Sequence, residues 1–78
     1  MKKIVIPDVA MGDAEVDILK WFVKVGDSVK KGDALVEVES EKATVSVESE
    51  CDGVVSKILS KEGDVTSIGQ VIGEIEES

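Results

Sequence analysis

Apolar and polar residues alternate with period two through much of the chain, most regularly in residues 36–49, VEVESEKATVSVES. Val36 and Val38 alternate with Glu37 and Glu39, and beyond a short break Val45 and Val47 alternate with Thr44, Ser46 and Glu48. Period two is the signature of a strand with one face buried. The break, Ser40-Glu41-Lys42-Ala43, is too short for anything but a hairpin, which puts the Lys42 amine at a tip facing water. No stretch of helical length carries a 3.6-residue apolar period, so the pattern predicts an all-β chain.

The same pattern recurs. Residues 24–39, KVGDSVKKGDALVEVE, align without gaps on residues 61–76, KEGDVTSIGQVIGEIE, at a constant offset of 37 positions. Upstream, ILKWF (18–22) falls on VSKIL (55–59). Each half reads strand, Gly-Asp turn, short connector, Gly-containing turn, strand, because Gly supplies positive φ and Asp ties such turns locally. Two such halves packed face to face predict a flattened β-barrel or sandwich of two small antiparallel sheets with approximate two-fold symmetry. The repeat would place the counterpart of Lys42 one position past the last residue. One end of the molecule is therefore expected to close in the lysine hairpin, and the other to hold the chain termini.

Composition narrows the functional classes. A chain of 78 residues makes one small domain, and Trp21 and Phe22 are its only aromatic residues, so the core must be aliphatic. Trp21, beside Ile18, Leu19 and Phe22, reads as core packing. Acids outnumber bases 17 to 9, for a net charge of −8, which excludes a nucleic-acid partner and an anionic membrane surface. With no His, Cys-His and Ser-His nucleophiles and His metal sites are excluded. Cys51, the only cysteine, can form no internal disulfide and reads as a small, partly buried turn residue. The carboxylates show no pairing beyond strand alternation, so the chain is expected to have no catalytic apparatus.

Residues 26–43, GDSVKKGDALVEVESEKA, resemble the lipoyl-domain signature G-D-x-V-x-x-G-D-x-L-x-x-V-E-[ST]-[DE]-K-A. The resemblance extends from IPDV near the start to GQVIGEIE near the end. It implies a barrel-sandwich hybrid serving the dihydrolipoamide acyltransferase (E2) of a 2-oxo acid dehydrogenase complex. Lipoate would be amide-linked to Lys42 by a lipoate ligase or lipoyl transferase, with Glu41 and Ala43 as flanking recognition residues. The arm would carry acyl groups and electrons between a thiamin-diphosphate decarboxylase (E1), the acyltransferase with coenzyme A, and dihydrolipoamide dehydrogenase (E3). Pyruvate is the expected 2-oxo acid. Asp13, Glu15 and Asp17, in a segment (10–17) read as the loop between the first two strands, are expected with Glu39 to help the decarboxylase recognise its carrier.

Two departures stand out: no proline in residues 49–53, and Glu41 where Asp is commoner. Both keep turn-forming or acidic character. A biotin carrier shares the fold but resembles A-M-K-M around its lysine, where this chain has Glu41 and Ala43. An unmodified association domain is a further alternative. Glu37, Glu39, Glu41, Glu48, Glu50 and Asp52 are expected to crowd the hairpin, either as a solvated face or to steer the tip toward a basic surface. Residues 1–78 read as a single carrier domain, the N-terminal part of a longer acyltransferase. The start at Met1, close to the first strand, leads to a bacterial cytoplasmic expectation rather than a mitochondrial one.

Overall fold

The computed structural model describes residues 1–7, 15–40 and 43–78. Eight strands follow in order: β1 (Lys2–Val5), β2 (Glu15–Trp21), β3 (Ser28–Val29), β4 (Ala34–Glu39), β5 (Thr44–Glu48), β6 (Gly53–Ile58), β7 (Val65–Ser67) and β8 (Val71–Glu77). They form two antiparallel four-stranded sheets, β1-β8-β6-β3 and β5-β4-β2-β7. The sheets face each other as a flattened sandwich and do not close into a barrel. As the alternation requires, one face of each strand is buried. Val16, Ile18, Leu35, Val36, Val38, Val55, Ile72 and Ile75 form an aliphatic core, each at most 2% exposed.

The internal repeat becomes a two-fold pairing of hydrogen bonds. The Gly26 amide donates to the Val55 carbonyl (2.8 Å), and the Gly63 amide to the Ile18 carbonyl (2.7 Å). In return Ile18 donates to the Asp64 carbonyl and Val55 to the Asp27 carbonyl, both at 2.9 Å. Gly26 and Gly63 sit at φ of 97° and 90°, a region closed to most side chains. Asp27 and Asp64 tie their turns as expected, each carboxylate accepting from a lysine amide three residues back at 2.8 Å.

These bonds also correct the picture of two halves simply stacked. Each Gly-Asp turn carries the chain across the sandwich, so β3 joins the sheet dominated by the second half and β7 joins the other. The halves interlock, and the short connectors after the Gly-Asp turns hold these two edge strands. A second relation was hidden. β1 does for β8 what β5 does for β4: Ile6 donates to the Gln70 carbonyl (3.0 Å) as Ser49 donates to that of Asp33 (2.8 Å). The offset there is 43, not 37, and KKIV does not resemble TVSVE in sequence.

The termini and the hairpin occupy opposite ends. The Ser78 amide donates to the Asp52 carbonyl (3.0 Å), and the Asp52 carboxylate accepts from the Lys31 amide (2.9 Å), just ahead of β4. From there β4 runs six residues, about 20 Å, to the hairpin. The whole body is 34 Å long and 19 × 17 Å across.

Candidate functional site: the β4–β5 hairpin

The hairpin is held from its inner face. Val38 is fully buried, Val45 packs half-buried against the core, and the two are register partners. The last pair is Glu39 with Thr44, both exposed. Beyond it the Ser40 amide donates to the Ala43 carbonyl (2.8 Å), while the Ala43 amide donates to the Ser40 hydroxyl (3.2 Å). Ser40 and Ala43, each half-buried, thus close the link. Glu41 and Lys42, the two residues connecting them in sequence, lie outside the described residues, as does Asp13. Lys42 is the only amine the sequence offers in that link.

Of the other predicted site residues, Ala43 stands at the closure and Glu39 at the end of β4. Glu15 and Asp17 differ from expectation in being part of β2 rather than of a loop. Val16 and Ile18, 2% and 1% exposed, explain this: the alternation Glu-Val-Asp-Ile already turns the acids outward. Asp17 is the register partner of Glu39, which partners Thr44, so these residues form one row across the outer face. Glu15 lies one outward step beyond, opposite Ser67.

Among the described residues, the acids near the tip therefore come from across the sheet, Glu15 and Asp17, as well as from the hairpin's own Glu39. Glu48 pairs with Ala34 at the hairpin's base, and Asp52 lies beside Ser78. Glu50 binds Lys2 at 3.1 Å on the open side, raising the Lys2 pKa through its hydrogen bond and then its charge. Glu39 and Asp17 directly opposite each other are like charges side by side, an arrangement that opposes folding slightly. Among the described residues no ion pair reaches either of them. The position of a carboxylate on β2 opposite the hairpin was beyond the repeat, which relates residues along the chain and is silent on strand neighbours.

Among the described residues no His, Cys, Asp and Glu side chains gather to hold a metal ion. What the site offers is a link closed by Ser40 and Ala43 at one pole of the body, bordered by carboxylates. A group attached there needs only an amide-forming amine, and the residues present fit that need.

A fold and site of this kind define an attachment domain for a covalently bound prosthetic group. The Biotin_lipoyl family model, described as "Biotin-requiring enzyme", matches residues 2–75, and the chain belongs to that family. The solution structure of the lipoyl domain of the 2-oxoglutarate dehydrogenase complex from Azotobacter vinelandii superposes with a TM-score of 0.80 at 30% identity, covering 99% of this chain and 98% of that one. The dihydrolipoyllysine-residue succinyltransferase component of the 2-oxoglutarate dehydrogenase complex of Rickettsia conorii is 43% identical over 75 residues, 96% of this chain. The dihydrolipoyllysine-residue acetyltransferase component of the pyruvate dehydrogenase complex of Staphylococcus aureus is 39% identical over 71 residues, 91% of this chain. Within the family the chain is a lipoyl domain of the E2 type. It spans 19% and 16% of the length of those two relatives, respectively.

Proposed function

We propose that Lys42 carries lipoate in amide linkage and that the domain serves as the mobile carrier of a 2-oxo acid dehydrogenase complex. The observation that supports this most directly is the placement of the hairpin closure, Ser40 to Ala43, at the end of the body away from Asp52 and Ser78. When bound, lipoate supplies a ring disulfide that can be reduced and re-formed, and a thiol able to accept an acyl group. The chain's own share is mechanical and electrostatic. Val38 and Val45 fix the direction of the hairpin, and Ser40 and Ala43 close it. Glu15, Asp17 and Glu39, with Glu41 and Asp13 in the sequence nearby, give the pole a negative field that favours encounter with a basic surface on the decarboxylase.

The partners follow from that role: a lipoate ligase or lipoyl transferase, the E1 decarboxylase, the E2 acyltransferase domain with coenzyme A, and the E3 dehydrogenase. For the 2-oxo acid, the relatives favour 2-oxoglutarate over the pyruvate expected from the sequence. The margin, 43% against 39% identity, is narrow enough that assay must decide.

The test has two stages. Incubation with lipoate ligase, lipoate and ATP should add one lipoyl mass to the wild type and none to Lys42→Arg. A biotinyl increment on expression in cells, or no increment with lipoate ligase, overturns the reading. The lipoylated domain is then offered to 2-oxoglutarate, pyruvate and branched-chain decarboxylases in parallel. The fastest reductive acylation identifies the complex, with the 2-oxoglutarate enzyme expected to lead.

A further inference from the structure

The link between β4 and β5 is closed by one backbone bond and, where a second backbone bond is usual, by a side chain. Two-residue links favour primed turns, which need positive φ at their central positions and so select Gly, Asn or Asp. The link here is Glu41-Lys42, with none of these. In an ordinary hairpin closure the Ala43 amide would donate to the Ser40 carbonyl. Instead it donates to Ser40 Oγ at 3.2 Å, and the same hydroxyl lies 3.2 Å from the Ala43 carbonyl as a donor. With the Ser40 amide bound to that carbonyl at 2.8 Å, both backbone groups of Ala43 are held by one residue.

The internal repeat supplies a control. Ser40 corresponds to Glu77, which has no hydroxyl and is the last residue of β8. The hydroxyl thus belongs to the hairpin and not to the repeated pattern.

We propose that Ser40 is a positioning residue for lysine modification: its hydroxyl fixes the ends of the two-residue link and thereby the presentation of the Lys42 amine to the attaching enzyme. This rests on the carrier reading above. Without the hydroxyl the link samples several closures and only a fraction is competent. The enzyme then meets a diluted substrate, so KM for the domain rises by the inverse of that fraction while kcat is kept.

The experiment is steady-state lipoylation of wild type, Ser40→Ala and Ser40→Thr by a purified lipoate ligase, followed by intact mass. Ser40→Ala should raise KM roughly tenfold, the size expected for losing one or two neutral hydrogen bonds, with kcat within about twofold. Ser40→Thr, which keeps the hydroxyl, should restore the wild-type KM. Amide hydrogen exchange at Ala43 should be faster in Ser40→Ala and slow again in Ser40→Thr. Wild-type KM in Ser40→Ala overturns the inference while leaving the carrier reading intact, as does a lower melting temperature with unchanged KM. A wild type that accepts no lipoate overturns the carrier reading, and the inference with it.

Discussion

Trp21 and Gly73, from the two halves of the repeat, meet across the two-fold axis. The repeat sets Trp21 against Ile58 and Val36 against Gly73, and each strand pair holds one of each: Trp21 with Val36, Ile58 with Gly73. A Cβ on Gly73 would lie 3.5 Å from Trp21 Cη2, an ordinary contact, and 3.2 Å from Ile4 Cδ1, a tight one. Its tightest contact, 2.8 Å, is with the Lys57 carbonyl oxygen, and a backbone group cannot swing away as a side chain can. Gly73→Ala should therefore destabilise the domain by about 1–3 kcal/mol in urea unfolding, and shrinking Trp21 should not rescue it. A change under about 0.5 kcal/mol would show the Lys57 strand giving way. The reading of Trp21 as core packing holds, for its ring packs half-buried against the core. The bond from its indole N–H to the Ser60 carbonyl (2.8 Å) was not legible, since that partner lies 39 residues away.

At the scale of elements, alternation and the 37-residue offset made the hairpin, both Gly-Asp turns and the two-fold architecture readable. These rest on local periodicity. Three features depended on which strands become neighbours and were missed: the exchange of β3 and β7 between sheets, the match of β1 to β5, and the outward acids of β2. Register gives the hairpin its sharpest test. The partners Val38–Val45 are fixed by burial, so moving the lysine by one place alters its direction without altering the hairpin. The double variant Lys42→Ala, Glu41→Lys is expected to fold normally and to accept lipoate poorly or not at all. Equal lipoylation of this variant and the wild type by a purified ligase would show that the enzyme reads sequence neighbourhood rather than presentation.

At the scale of the molecule, the net charge of −8 is unevenly shared between the two outer faces. One bears the row Lys3–Glu74–Lys57, in which opposite charges alternate. The other sets Glu39 beside Asp17. Removing one of a like-charged pair relieves repulsion, so Asp17→Asn should gain about 0.2–1 kcal/mol of stability. The same change should slow reductive acylation and flatten its decline with added salt, if the field of that face guides encounter. A variant that is more stable yet keeps the wild-type rate and salt profile would confine those acids to keeping the face in solution.

The separation of hairpin and termini also settles a trade between distance and density. A tether fastened at the termini pole adds the 34 Å body to the radius its far end can sweep. A tether fastened beside the hairpin would add none. For a domain so tethered, the wider sphere would let one arm visit sites too far apart for the arm alone, while its effective concentration at each would fall with the volume explored. Shortening the body by deleting paired strand residues would tighten that sphere, favouring near neighbours over distant ones.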